Sequence, residues 1–213
     1  AHMTQDSQLD LLQGLIERAQ RGGATAADAV FVDSRSLSAA QRFGKPEAVE
    51  RSEEHDLGLR VLVGRRQAVV SSTDIKPDAL DELVERAVAM AKAMPEDKFA
   101  GLADPADIAA SYPEIDMSDP TEPPAERLVA RATAAEQAAL AVKGVTNSEG
   151  GEAGWSSSRI TLVASNGFAG SYQRSSHSVS AVVLAGEGQG MERDYDYSHT
   201  VYETDLDNAA EIG

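Results

Sequence analysis

Residues 145–200 restrict the fold most, because stretches of alternating polar and apolar residues meet there at one strong turn signal, Asn166-Gly167. Asn-Gly between alternating stretches is typical of a tight β-hairpin, since both residues tolerate positive φ. A second turn is expected at the glycine-rich segment around Gly188. The pattern therefore predicts antiparallel strands over residues 145–157, 159–165, 168–185 and 191–200.

The first half of the chain repeats this layout. Apolar residues at helical spacing predict helices over residues 8–21 and 76–94, with Pro77 in the first turn of the second helix. Strands are predicted over residues 27–33 and 36–43, and in two or three segments between residues 45 and 72. An Ala-rich helix over residues 125–142 follows, and residues 204–213 begin another. The expected fold class is α+β, with antiparallel β-sheets flanked by helices and an internal α-β-β-β-α duplication.

The domain boundaries follow from composition. Residues 1–3, Ala-His-Met, resemble the remnant of an expression tag and are set aside. Residues 4–94 form the first α/β half, and residues 125–213 form the second. The connection between them, residues 95–124, holds six prolines and many acidic residues. Such a segment is long for a loop.

Charge and composition exclude several classes of function. The formal net charge is −16, from 35 acidic and 19 basic residues, and a field of that sign repels phosphate backbones. We therefore expect no nucleic-acid partner. The absence of cysteine excludes disulfides and thiolate zinc sites within this chain. The same absence fits a cytoplasmic location. No apolar stretch approaches the roughly 18 residues of a membrane span, so we expect no membrane partner.

Three glycines at alternate positions, Gly186, Gly188 and Gly190, raise the question of a phosphate-binding loop. A dinucleotide fingerprint needs the spacing G-x-G-x-x-G between a strand and a helix N-terminus. The spacing here is G-x-G-x-G, and the segment that follows has the alternation of a strand. We therefore interpret the glycines as a hairpin turn rather than as a cofactor-binding site.

No catalytic or metal-binding set of residues stands out. His55, His177 and His199 lie singly in predicted strands, where a histidine is usually at the surface or hydrogen-bonded. Acidic residues of the last strand, Glu192, Asp194 and Asp196, alternate with Tyr195 and Tyr197. Three carboxylates on one strand face are typical of a solvated surface. The expected catalytic, cofactor-binding and metal-binding residues are none.

Several segments together resemble the PmbA/TldD family, and its PmbA (TldE) branch in particular. They are "SEEHDLGLRVLVGRRQAVVSSTDI" at residues 52–75, "NSEG" at 147–150, "SNGFAGSY" at 165–172 and "RDYDYS" at 193–198. The resemblance implies a cytoplasmic TldD–TldE heterodimer, a metalloprotease that acts on unfolded peptides. An older label for the family is modulator of DNA gyrase.

The resemblance also implies how the work is divided between subunits. Zinc is expected only in the TldD-like sister subunit, whose ligands lie C-terminal to the region that this chain represents. This chain is then the N-terminal, non-catalytic part of a PmbA/TldE-like subunit, truncated before its C-terminal domain. Two alternatives stay open. In one, the parent chain is itself a metallopeptidase with ligands beyond residue 213. In the other, it is an acidic adaptor for gyrase or an antitoxin, without proteolysis.

Within such a complex the second sheet could line a peptide channel or a subunit interface. Antiparallel strands offer main-chain pairing to an extended peptide with little dependence on its sequence. The alternative is that these strands only support the fold and contact neither a peptide nor a subunit. The residues predicted to face a peptide or a subunit are Ser178, Ser180, Glu192, Asp194, Tyr195, Tyr197 and His199.

Overall fold

The computed structural model describes residues 3–109 and 111–213, and this part of the chain has the predicted α+β fold. Ala1 and His2, assigned to a tag remnant from the sequence, lie outside the described residues. The helices are α1 (Gln5–Arg21), α2 (Pro77–Ala93), α3 (Ala125–Leu140) and α4 (Ala209–Ile212). The strands are β1 (Ala26–Arg42), β2 (Lys45–Val63), β3 (Arg66–Ser72), β4 (Val145–Ala164), β5 (Ala169–Ala185) and β6 (Glu192–Thr200).

The described strands form one antiparallel sheet of six strands in the order β3-β2-β1-β4-β5-β6. Its strands are longer than the sequence predicts. Residues 27–33 and 36–43 belong to the single strand β1, and residues 145–157 and 159–165 belong to the single strand β4. Ser34, Arg35 and Ser158 lie at the predicted breaks. They do not interrupt β1 and β4, because each of these strands has a hydrogen-bonded neighbour on both sides.

The chain divides into two compact units, each assembled from separate segments. The first combines the described residues of Ala1–Asp33, Glu54–Ile115 and Arg159–Tyr172. The second combines Ser34–Glu53, Asp116–Ser158 and Gln173–Gly213.

Two helices and the inner face of the strands form the core of the first unit. Helix α1 begins at the N-cap Thr4, whose hydroxyl accepts the amide of Ser7, and ends at Gly22. Leu12, Leu15 and Ile16 of α1 are buried. Alternate residues of β2 and one face of α2 complete this core. They are Leu57, Leu59 and Val61 of β2, and Leu80, Leu83, Val84, Ala87 and Val88 of α2.

Helix α3 packs closely on β4 in the second unit because its inward face consists mainly of alanine. Ala132, Ala135 and Ala139 are buried on this face. The close contact between α3 and β4 also requires glycine at position 151 of β4, since a Cβ there would lie 2.2 Å from the carbonyl oxygen of Ala132. The small residues thus bring the helix backbone almost into contact with the strand.

One charged residue, Glu136, interrupts this small-residue face and is fully buried. Its carboxylate accepts hydrogen bonds from the amides of Phe43 (2.7 Å) and Gly44 (3.0 Å) in the β1–β2 turn. The Ser148 hydroxyl donates a third bond at 2.7 Å. Ser148 belongs to the "NSEG" segment, which therefore has a structural role in holding α3 and the turn together.

Candidate functional site

The last strand of the sheet, β6, forms one of its two edges. In the sheet order, β5 is its only neighbouring strand among the described residues. The antiparallel register pairs Ser178 with His199, Ser180 with Tyr197 and Val182 with Tyr195. Because side chains alternate across a strand, these residues lie on one face of the β5–β6 pair. The turn between the two strands is the short 3₁₀ segment Gly188–Gly190, as the glycine pattern predicted.

This face of the β5–β6 pair forms an open groove of about 720 Å³. We call it the β5–β6 groove, and define it by the side chains of Ser178, Ser180, Val182, Arg193, Tyr195, Tyr197 and His199. Its tyrosines are well exposed, at 60% for Tyr195 and 62% for Tyr197. The groove therefore offers two large aromatic surfaces beside a row of small polar side chains.

Five of the seven residues singled out from the sequence line this groove together: Ser178, Ser180, Tyr195, Tyr197 and His199. The other two do not. The register pairs Glu192 with Ala185 and Asp194 with Val183, which places both acidic side chains on the opposite face. Sequence reasoning missed Arg193, although the same period of two that selects Tyr195 and Tyr197 includes it.

Arg193 is held at one end of the groove by two interactions. Its guanidinium donates to the carboxylate of Glu149 at 2.9 Å and lies 5.7 Å from the ring centroid of Tyr195. The hydrogen bond from Arg193 lowers the pKa of Glu149 below its ordinary value and raises that of Arg193. The groove thus has a positive group at one end, already paired with a carboxylate.

A second cluster lies on the opposite face of β5, around His177. The His177 ring is fully buried, with Nε2 3.2 Å from Oδ2 of Asp119. Neither ring nitrogen makes a hydrogen bond of normal geometry to the described part of the chain. For His177, the expectation that each lone strand histidine is exposed or hydrogen-bonded is met only by the contact with Asp119, because the ring itself is buried. It holds for His55, whose Nε2 lies 2.8 Å from the carbonyl oxygen of Thr73.

Asp119 connects the proline-rich segment to the rest of this cluster. Its two carboxylate oxygens accept hydrogen bonds from the main-chain amides of Thr121 and Glu203, each at 2.8 Å. Its own amide donates to the hydroxyl of Ser175 at 2.7 Å. Burial acts to raise the pKa of Asp119, but the hydrogen bonds from Glu203 and Thr121 and the proximity of His177 bring it below the ordinary value.

Glu203 completes the cluster with two arginines of α3. Arg127 and Arg131 each donate to one of its carboxylate oxygens at 2.8 Å. Burial would raise the pKa of Glu203, but the two guanidinium groups lower it below its usual value. The carboxylates of Asp119 and Glu203 are therefore both hydrogen-bonded within the cluster, which fits a structural role in positioning β5, a strand of the groove.

The described residues do not fit a metal site. In residues 3–109 and 111–213, no three His, Cys, Asp or Glu side chains lie together so that they could hold a metal ion. Asp119 and His177 form only a pair, and the His177 ring is fully buried.

Acid is expected to destabilise the protein through His177. Burial lowers the pKa of His177 below its ordinary value of 6.5, and Arg131 adds to this, against the opposing effect of Asp119 and Glu203. The unfolded chain therefore binds a proton first as the pH falls below 6.5. The free energy of unfolding should therefore keep its full value above pH 6.5. It should decrease as the pH falls below 6.5, by at most about 1.4 kcal/mol per pH unit for one proton.

Urea unfolding between pH 7.5 and pH 5 measures this slope. His177→Gln should flatten it, whereas Ser178→Ala, at the neighbouring position of β5, should leave it unchanged. A wild-type free energy that is constant over this range would contradict the account of His177. Asp119 and Glu203, with lowered pKa values, lose their stabilising effect at lower pH still.

Comparison with known proteins places this fold in a class of metallopeptidase domains. The family model described as PmbA/TldA metallopeptidase domain 1 matches residues 27–91. The model described as the PmbA/TldA metallopeptidase central domain matches residues 118–213 and so contains both the groove and the His177 cluster. The chain belongs to the PmbA/TldD family, which confirms the resemblance seen in the sequence.

Individual relatives agree with this assignment. The protein named metalloprotease PmbA from Escherichia coli O157:H7 is 33% identical over 90% of this chain. This chain spans 43% of that relative's length. The crystal structure of a candidate modulator of DNA gyrase from Bacteroides thetaiotaomicron superposes with a TM-score of 0.89 at 21% identity, covering 99% of this chain and 49% of that one. TldE from Thermococcus kodakarensis superposes with a TM-score of 0.80 at 16% identity, covering 95% and 45%. These two structures establish the shared fold.

The helices give no sign of a membrane span. None in the described part of the chain combines the length and the apolar character that crossing a bilayer requires.

Proposed function

We propose that this chain is the N-terminal, non-catalytic part of a PmbA/TldE-like subunit in a cytoplasmic TldD–TldE type metalloprotease complex. In this proposal the complex acts on unfolded peptides, zinc belongs to the TldD-like sister subunit, and this chain helps to hold the substrate. The observation that carries the proposal is the β5–β6 groove in the family's central domain, which lies beside a sheet edge that pairs with no further strand among the described residues.

The groove suits an extended peptide for two physical reasons. A free strand edge offers main-chain donors and acceptors, which pair with any sequence that can extend. Tyr195 and Tyr197 add aromatic area that packs against varied side chains at low entropic cost, since a tyrosine has few rotatable bonds. Both features favour a substrate that is recognised by its extended form rather than by one motif.

The charge of the chain supports the choice of a peptide over a nucleic acid. A net charge of −16 opposes the approach of a phosphate backbone. The proposal therefore includes no DNA binding, although one structural relative is named a modulator of DNA gyrase.

The name of the E. coli relative, a metalloprotease, favours a second candidate. In that reading the full-length parent carries its own metal site beyond residue 213, and the β5–β6 groove still binds peptide.

Removing the tyrosines tests the role of the groove. In the full-length subunit assembled with its sister subunit, Tyr195→Ser/Tyr197→Ser should raise KM for peptide cleavage roughly five- to thirty-fold, because aromatic anchors carry much of the binding energy of such surfaces. The value of kcat should change less than about twofold, since the groove is not proposed to touch the reacting atoms.

Tyr172→Ser is the matched control. Tyr172 is also exposed on β5, at 49%, but lies outside the groove and should leave both constants unchanged. Equal KM values for the groove variant and the wild type would show that these strands are scaffold only.

A further inference from the structure

The free edge of β6 carries two main-chain donors that are capped by its own side chains. The amide of Tyr195 donates to Oδ1 of Asp194 at 2.9 Å. The amide of Tyr197 donates to Oδ1 of Asp196 at 2.8 Å. The same local arrangement therefore occurs twice, two residues apart along the strand.

The alternation of main-chain groups along β6 indicates that these two amides point away from β5, to the free edge. Successive residues of a strand direct their main-chain groups to opposite sides, so Tyr195 and Tyr197 donate to the same side. Both donate to a carboxylate of their own strand, so we assign the ladder with β5 to the alternate residues, Asp194 and Asp196, whose register partners are Val183 and Ala181. Covering the donors of an exposed edge with charge is a common protection against unselective strand pairing.

We propose that the β6 edge and its groove accept extended peptide segments that carry Lys or Arg at alternate positions, and that Asp194 and Asp196 set this preference. An incoming cation pairs with each carboxylate, and the Tyr195 and Tyr197 amides are then donated to carbonyl oxygens of the added strand. A peptide without such cations must displace the carboxylates and leave them without a partner. This inference rests on the proposed function and adds to it a substrate class.

The distribution of charge around the edge agrees with a basic peptide. Glu192, Asp194 and Asp196 share one face of β6, so alternate basic residues of an added strand would lie opposite them. The positive group nearby, Arg193, is on the other face and already paired with Glu149. The remaining side chains of the peptide would lie on that other face, against Tyr195 and Tyr197.

The preference is measurable with three synthetic peptides that alternate Val with Lys, with Thr or with Glu. On the 213-residue chain, the Lys peptide should bind about three- to tenfold more tightly than the Thr peptide, as expected for two exposed ion pairs. The Glu peptide should bind most weakly. The difference should shrink as salt is raised, because exposed pairs are screened. Bound peptide should slow hydrogen exchange at the Tyr195 and Tyr197 amides.

Two variants test whether the charges of Asp194 and Asp196 cause the preference. Asp194→Asn/Asp196→Asn keeps an oxygen for each amide but removes the charge, so the Lys and Thr peptides should bind nearly equally. Asp56→Asn, at an exposed position of β2, should preserve the wild-type preference. A Lys peptide that is N-methylated at alternate residues should bind weakly, because it cannot pair along the edge.

The outcomes separate this inference from the proposed function. Equal binding of the three peptides, or a Lys preference that survives in the double Asn variant, would overturn the inference and leave peptide binding by the groove intact. Tight binding of the N-methylated peptide would also overturn it, because charge alone would then explain the affinity. If no peptide binds, the groove proposal fails as well.

Discussion

Gly151→Ala is expected to lower the free energy of unfolding of the second unit by about 3 kcal/mol or more. The added methyl would lie 2.2 Å from the carbonyl oxygen of Ala132 and 3.1 Å from Cβ of Glu136. The oxygen belongs to the backbone of α3, so relief requires a shift of the helix rather than of a side chain. Urea unfolding followed by circular dichroism measures the effect.

The same substitution at Gly14 is the control. Gly14 lies within α1, and nothing lies within 4 Å of the position that its Cβ would take. Gly14→Ala should therefore stabilise the protein by roughly 0.5–1 kcal/mol, through helix propensity. If Gly151→Ala unfolds within about 0.5 kcal/mol of the wild type, the close approach of α3 and β4 described here is wrong.

Glu136→Gln is expected to cost about 2–4 kcal/mol, although it changes one atom. The buried carboxylate accepts from two main-chain amides and a hydroxyl, so all of its partners donate to it. A Gln side chain must turn its NH₂ group toward one of these donors and leave that donor unpaired. Denaturant unfolding measures the loss in free energy of unfolding. Hydrogen exchange of the Phe43 and Gly44 amides shows whether the lost hydrogen bonds are those to Glu136.

Glu126→Gln provides the comparison within the same helix. Glu126 is exposed in the first turn of α3, and its substitution should change stability by less than about 0.5 kcal/mol. Similar effects of the two substitutions would mean that the Glu136 bonds contribute little to the stability of the fold.

Local sequence signals predicted much of the fold, because each depends on residues that are close together in the chain. The Asn166-Gly167 turn is confirmed, with Gly167 at φ 101° and its amide bonded to Ala164. Pro77 at the start of α2 is likewise confirmed. The period of two along β6 correctly separated its acidic face from the face that carries Tyr195 and Tyr197.

The missed features depend on residues far apart in the sequence. His177 is buried because Asp119, 58 positions earlier, belongs to a segment that folds back over β5, and no local pattern indicates this contact. Helical spacing alone also does not separate Met90 of α2, which is 43% exposed, from its neighbour Ala91, which is buried. For Glu136 a signal did exist. A single carboxylate among Ala132, Ala135 and Ala139 on one helix face is out of place unless it is paired.

The assignment to a non-catalytic subunit is tested most directly by peptide cleavage with zinc analysis. The full-length parent would be purified alone and then assembled with its TldD-like sister subunit, and cleavage of an unfolded peptide and bound zinc would be measured in each. We expect activity and zinc only in the mixture. Activity and zinc in the parent alone would contradict the assignment and place a metal site in the parent itself. Stable partner binding with no cleavage in either sample would instead indicate an adaptor.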